Sequence, residues 1–446
     1  MPNHINSNKE LLLNKGRQGD LIDCDKRTPR TQAGLRLAEN GIEVGLSWSD
    51  FANNPYMRWF PTGAVYPDDP KKTKYAYKVP RQLWFRDSNG TVTLLGCRAG
   101  STHMLGDGST NAQIYADKAV LGASIGVDYM KVNGLRSSIT GLRQWVGGSS
   151  ILNTRKPNEH GLVQSSTFTL CSPQDIALSR RGNVKFHYHW KTRNTTDGVE
   201  LQDLLFVESM YKTRKTWNDL EHKHRAIRDL LCISSWNLHE RRVVAVLRAD
   251  DPDRVESGEA YQDNWCEVIS SLADVSPLKR KPNYLIKYED IKNAGFQAWF
   301  NLWTKYSRAI DPLVSSLNLR GAPIEVQLLE CGIGLEALGY ELYLEDGESK
   351  ERANRHSFQE RLLRISRDLG ENWLFDVNEW SEKMAKAYNG IKHANRHPLD
   401  FIDNANAWRE SVLIFRGWIA LRLGISKKEL LERVELDPMK SEYIQI

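Results

Sequence analysis

The hydrophobic periodicity of the chain changes once, near Tyr211, and that change constrains the fold more than any single motif. From about Ile42 to Phe206 the apolar residues come in short or alternating runs, such as Gln82–Phe85, Thr91–Leu95, Ala119–Ile125 and Asn183–Trp190. Asn-Gly, Asp-Gly and Gly-Gly turns separate them. Alternation places every second side chain on one face of a strand. Asn89-Gly90, between Gln82–Arg86 and Thr91–Leu95, predicts a hairpin, because both residues tolerate positive φ. The stretch is expected to be an antiparallel β domain, a sandwich or a barrel.

Beyond Tyr211 the period lengthens to that of a helix. Trp217, Leu220, Ile227, Leu230 and Leu231 fall on one stripe, which predicts an amphipathic helix over Lys212–Ser234. Arg241–Leu247 reads as a strand, Asp250–Tyr261 as a polar loop and Pro277–Pro282 as a connector. The remainder is predicted helical. Phe296, Trp299, Phe300 and Trp303 share a face, and Ile324–Leu344 is long and apolar and stops at Asp346-Gly347. Ser357 and Glu360 form a capping box that opens a helix to Leu369. Trp380, Met384, Ala387 and Ile391 stripe a helix over Glu379–His393, and Trp408, Val412, Phe415, Ile419 and Leu423 stripe the last strong one.

The expected class is therefore α+β. A β-rich domain would occupy 41–210, a mixed, mainly helical region 211–310 and a helical bundle 311–446. Residues 1–40, polar and without apolar periodicity, are expected to form a flexible leader.

Composition narrows the function classes. Hydrophobic residues at 40 % and charged residues at 26 % exclude wholesale disorder. Apolar runs such as Val412–Phe415 fall far short of a membrane span, and residues 1–20 are too polar for a signal peptide, so a cytoplasmic protein with no membrane contact is expected. The six cysteines (Cys24, Cys97, Cys171, Cys232, Cys266 and Cys331) are scattered and form no Cys-x-x-Cys. They read as reduced thiols rather than a disulfide framework or a zinc site.

The sequence contains no Walker A loop, no Gly-x-Gly-x-x-Gly, no His-Glu-x-x-His and no Gly-x-Ser-x-Gly elbow. No cofactor and no metal is expected. His187 and His189 share a face of a predicted strand, as two metal ligands would, but no third ligand is evident and two surface histidines are the plainer reading. His222 and His224, two apart on a helix, point about 200° apart and cannot share a metal. Lys212–Arg248 carries nine basic residues against four acidic ones, a net of +5 that equals the excess of the whole chain. Such a patch suits a phosphate backbone, and also suits a solvated helix face.

Tyr388-Asn-Gly-Ile-Lys-His-Ala-Asn-Arg-His397 is the densest polar cluster in the helical half. On a continuous helix Asn389, His393 and Arg396 lie within about 60° of one another, with Tyr388 and Lys392 on the adjoining side. An imidazole, an amide, an ammonium and a guanidinium on one rim suit phosphodiester chemistry. Pro398 would end the helix and leave the rim accessible. A basic helix end complementing the macrodipole is the plain alternative.

Asn133–Trp145 resembles the stretch of the ApeA N-terminal domain in which a strand leads into a Leu-x-x-Trp element, and His224–Leu231 resembles its closing helix. Leu328–Leu342, with Leu-Glu-Ala-Leu at 335–338, resembles the first helix of an ApeA-like HEPN domain. Tyr388–His397 and Trp408–Leu423 resemble that domain's active-site helix and its successor. The resemblance implies an antiviral, abortive-infection protein with a β-rich sensing front and a HEPN nuclease behind. HEPN bundles dimerise so that two motif helices build one RNA-cleaving site, and the chemistry is metal-independent: the 2′-hydroxyl attacks the adjacent phosphate. The family motif is Arg, then a polar residue, then His a few residues further on.

Asn389 and His393 match that motif, whereas Tyr388 stands where Arg is expected. The same loose spacing recurs at Arg98/His103, Arg155/His160 and Arg181/His187 in the β-rich half, so only helical context selects His393. The carried-over roles are His393 as general acid and base, Lys392 and Arg396 as phosphate stabilisers and Asn389 as the orienting residue. Glu336 would organise basic groups from the first bundle helix. RNA, such as tRNA, is the implied substrate, a homodimer or higher oligomer the implied assembly, and a phage-derived molecule the implied trigger. Two other readings stay open. One is an inactive HEPN protein that binds nucleic acid or a phage protein and signals by assembly. The other is a sugar- or peptide-binding sandwich with Trp48, Trp59, Trp84 and Trp145 as exposed platforms.

Overall fold

The computed structural model describes residues 13–23, 30–39, 41–49, 55–60, 65–74, 76–104, 106, 109–179, 181–270, 282–319, 321–371, 373–397 and 399–444. Its front is one large antiparallel sheet and its back is helical. From one edge the strands run Ile176–Ala177, Val184–Thr195, Gly198–Thr216, Lys131–Ile139, Arg241–Leu247, Trp265–Ser270 and Lys118–Leu121. The order continues through Gly90–Leu95, Gln82–Asp87, Arg17–Ile22, Thr31–Ala38, Gly41–Trp48 and Thr110–Ala116 to Arg98–Met104. Leu21, Leu35, Val44, Phe85, Leu94 and Ile114 meet in one buried cluster, so this end of the sheet curls about a core of its own. The expected hairpin is present, with Asp87 opposite Gly90. Its two loop residues are Ser88 and Asn89, one position earlier than expected, and the Asp87 carboxylate holds them by accepting the Asn89 N–H at 2.8 Å.

The expectation of a flexible leader over 1–40 fails in its described part. Arg17–Ile22 pairs with both Thr31–Ala38 and Gln82–Asp87, and Leu21 and Leu35 are fully buried. The polar composition of this stretch conceals a buried ion pair: Arg17 Nη2 lies 2.5 Å from Asp87 Oδ1. Cys24 and residues 277–281 lie outside the described residues.

The switch to helix also falls later than the periodicity suggests. Gly198–Thr216 stays extended, and the helix spans Trp217–Ser235. Thr216 Oγ1 accepts the Asp219 N–H while the Asp219 carboxylate accepts the Thr216 N–H, a capping box that fixes the start. Arg241–Leu247 and Trp265–Ser270 return to the sheet, so 211–310 supplies strands as well as helices.

The far end of the sheet and the bundle share one core. Val184, Phe186, Leu205 and Val207 from the strands join Ile227 and Leu230, Trp299 and Phe296, and then Leu335, Met384, Phe415 and Trp418. A buried polar tie crosses the same seam. Arg416, with no exposed surface, donates to the Ile233 and Ser234 carbonyls at 2.7 and 2.9 Å and to both Asp437 oxygens at 3.0 and 2.8 Å. The tryptophans proposed as exposed platforms are packing residues: Trp59, Trp84 and Trp145 are buried and Trp48 is packed against the sheet core. That removes the stacking-platform reading. Among the described residues, no helix is long and apolar enough to cross a membrane.

Candidate active site at the end of the Val377–Lys392 helix

Asp376 starts this helix by accepting the Asn378 and Glu379 N–H groups. Trp380, Met384, Ala387 and Tyr388 form its buried face, and Trp380 Nε1 donates to Ser411 Oγ of the neighbouring Phe401–Arg422 helix at 3.0 Å. The helix ends at Lys392, short of the rim expected from a continuous helix. His393 is extended (φ −118°, ψ 112°), its N–H bonded to the Asn389 carbonyl at 3.1 Å. The Arg396 N–H then bonds to the His393 carbonyl at 3.0 Å, so His393 and Arg396 belong to a turn beyond the helix. Pro398, expected to end the helix, lies outside the described residues.

The five sequence-selected residues divide into two groups. Tyr388 is buried and Lys392 lies over its ring, 5.0 Å from the centroid, with Nζ 3.5 Å from the phenolic oxygen. Asn389 is half-buried, whereas His393 and Arg396 are exposed. Among the described residues no hydrogen bond or ion pair engages the His393 or Arg396 side chain.

Glu336, on the Ile324–Glu345 helix, is the hub of the first group. It accepts the Tyr388 hydroxyl on Oε2 at 3.1 Å and the Arg361 guanidinium on Oε1 at 3.1 Å, and Lys392 Nζ lies 3.7 Å away. Burial, and then the Glu336 carboxylate, push the Tyr388 phenol well above its ordinary acidity range, so it acts as a neutral hydrogen-bond donor. Gly332 makes room for this ring: a Cβ there would lie 2.2 Å from Tyr388 Cδ2. Phe358 packs on it at 4.6 Å between centroids.

Arg361 escaped the sequence reading. It sits among Phe358, Leu362, Ile365 and Leu369 on the buried stripe of its helix, and a guanidinium at an apolar position was the available signal. Its Nη2 also reaches the Ala353 and Asn354 carbonyls, and it lines a cavity of about 460 Å³ with Glu336, Arg308 and Tyr340.

The other candidates resolve into structure. His187 bonds Asp175 at 2.9 Å, and among the described residues no cluster of His, Cys, Asp and Glu could hold a metal. His224 is buried between Ser137 and Ser209, while His222 packs edge-on to Trp303. Three of the nine basic residues of Lys212–Arg248 are closely paired: Arg241 with Glu221 at 2.6 Å, Arg248 with Asp250, just beyond the stretch, at 2.6 Å and Arg228 with Asp229 at 2.9 Å.

Sequence comparison matches residues 35–303 to ApeA N-terminal domain 1 and residues 344–429 to the Apea-like HEPN domain. The first match runs well past residue 210, through the Trp217–Ser235 helix and most of Tyr288–Lys305. The second takes in the Tyr388–Lys392 helix end and His393 but begins after Glu336. Neither the curated proteins nor the solved structures searched contain a match. With more than half of its length in the first match, and its curled antiparallel sheet and helical bundle in the matching order, the chain belongs to the ApeA family of anti-phage defence proteins that carry a HEPN domain.

Proposed function

We propose that this anti-phage protein is an effector that cuts RNA, tRNA included, in the cytoplasm of the infected cell. The observation that carries the reading is the early end of the motif helix, which leaves His393 in solvent between Lys392 and the exposed Arg396. An imidazole can take a proton from one oxygen and give one to another. In the proposed reaction His393 accepts the proton of an RNA 2′-hydroxyl, whose oxygen attacks the adjacent phosphorus. The bond to the 5′-oxygen breaks, that oxygen is protonated, and the products are a 2′,3′-cyclic phosphate and a 5′-hydroxyl. Lys392 and Arg396 stabilise the charge that builds on phosphorus, and the Asn389 amide orients the substrate. A second copy of the chain brings a second such turn, so one cleft collects two imidazoles and a doubled set of cations. A phage-derived molecule acting on the β-rich front is the proposed trigger.

One observation favours a second reading, in which the bundle binds RNA or a phage protein without cutting. Tyr388 holds the position of the family arginine, and its hydroxyl is directed at Glu336 rather than at solvent. The two readings separate in cells challenged with phage. Cleavage requires that RNA fragments appear with the wild-type chain and not with His393→Ala, and that protection falls with them. Protection by His393→Ala at the wild-type level, with RNA intact, supports the binding reading and overturns the first.

A further inference from the structure

A second site lies far along the chain from the motif helix, where two of the sheet's buried clusters meet. Leu95 and Trp217 belong to one cluster and Cys97 to the other. Between them opens a cavity of about 500 Å³, lined on its apolar side by Leu95, Met130 and Trp217 and on its polar side by Arg81, Arg98 and Lys118. That volume is within the range of pockets that enclose small molecules.

The charges at its mouth are unbalanced. Arg98 is matched by Asp117, whose Oδ1 lies 2.5 Å from Arg98 Nη1. Neither Arg81 nor Lys118 has a carboxylate partner among the described residues. Lys118 Nζ rests instead over the Trp217 ring, 5.1 Å from its centroid. An ammonium held by a ring face is free to exchange that contact for an anionic oxygen, a stronger partner. Met130, 38 % exposed, adds a polarisable thioether to the apolar wall. Two unmatched cations beside a wall of indole, thioether and leucine describe a ligand with an anionic end and a flat, apolar body.

We propose that this pocket binds a nucleoside phosphate, its phosphate on Arg81 and Lys118 and its base against Met130 and Trp217. A base offers a polarisable flat face to indole and thioether, whereas a bare phosphate would leave that wall empty. The site does not depend on the RNA-cleaving reading, and its test measures binding alone.

Calorimetric titration of the full chain with ADP, GDP, UDP and pyrophosphate decides it. At least one nucleotide binds with a Kd below about 100 μM, and pyrophosphate binds at least about tenfold more weakly. Arg81→Ala and Lys118→Ala each weaken the nucleotide about tenfold or more, Met130→Glu at its exposed position removes binding, and His393→Ala leaves it unchanged. The proposal is overturned if no nucleotide binds at about 1 mM, if pyrophosphate binds as tightly as the nucleotides, or if the Arg81 and Lys118 variants bind like the wild type.

Discussion

Replacing Arg416 by Met tests how firmly the bundle is joined to the front of the molecule. The guanidinium is fully buried and makes four hydrogen bonds, two to Asp437 and two to the last carbonyls of the Trp217–Ser235 helix. Asp437, whose side chain is 1 % exposed, would keep among the described residues only the Met439 N–H, the Ile233 carbonyl would lose the guanidinium donor, and the Ser234 carbonyl would keep the Leu285 N–H at 2.8 Å. Breaking a buried pair from one side costs about 3–5 kcal/mol, because the remaining charge is stranded away from water. The lost contacts to the carbonyls act in the same direction, so about 3 kcal/mol is the floor. Urea unfolding followed by tryptophan fluorescence reads the loss. The double variant Arg416→Met/Asp437→Leu removes both charges and is expected to recover at least half of it, since matched apolar replacement of a buried pair is often neutral. A loss below about 3 kcal/mol in the single variant, or a double variant no more stable than the single one, would refute the reasoning.

Tyr388→Arg restores the family residue. It is expected to raise RNA cleavage by about tenfold or more, while loss of the buried ring lowers stability by about 2–4 kcal/mol, both measurable on purified protein. Gly332→Ala drives a Cβ to 2.2 Å from the Tyr388 ring. Overpacking of about 1–3 kcal/mol outweighs the helix-propensity gain of about 1 kcal/mol, so chemical denaturation should find a net loss.

Asp229 provides a pH test. Burial raises its carboxyl from 3.8 to about 6, against the opposing pull of Arg228 and of the Trp303 Nε1 hydrogen bond. The folded state therefore holds this proton more tightly than the unfolded chain does. Its contribution is complete below about pH 4 and is lost as pH rises through about 6, on the order of 3 kcal/mol in all. Asp229→Asn should flatten that part of the stability profile; an unchanged slope between pH 4 and 6 contradicts it.

The helical half was legible because its signals are local. The apolar stripes of Trp380–Ile391 and Trp408–Leu423 and the Ser357/Glu360 capping box all correspond to observed helices. The front was legible only where turns punctuate it. Arg17–Ile22 and Thr31–Ala38 look polar because half of the information lies in their partners: Arg17 belongs in a strand only when the Asp87 carboxylate, some seventy residues away, accepts its guanidinium. Lys212–Thr216 was assigned to the helix because a basic run fits either state, and the Thr216/Asp219 box that sets the boundary was passed over. Of the residues that spacing selects, Tyr388, Asn389 and Lys392 lie on the observed helix, whereas a projection assuming a continuous helix misplaces His393 and Arg396, which belong to the turn beyond it. Arg361 joins the site only through folding, since its link to Glu336 spans two helices.

In the proposed function the turn after Lys392 performs phosphodiester chemistry through His393. The most direct measurement incubates the purified full chain with tRNA in EDTA and analyses the ends of the products. Fragments bearing 2′,3′-cyclic phosphate and 5′-hydroxyl ends are expected from the wild type and not from His393→Ala. Intact RNA from the wild-type chain, or the same fragments from His393→Ala, would contradict it.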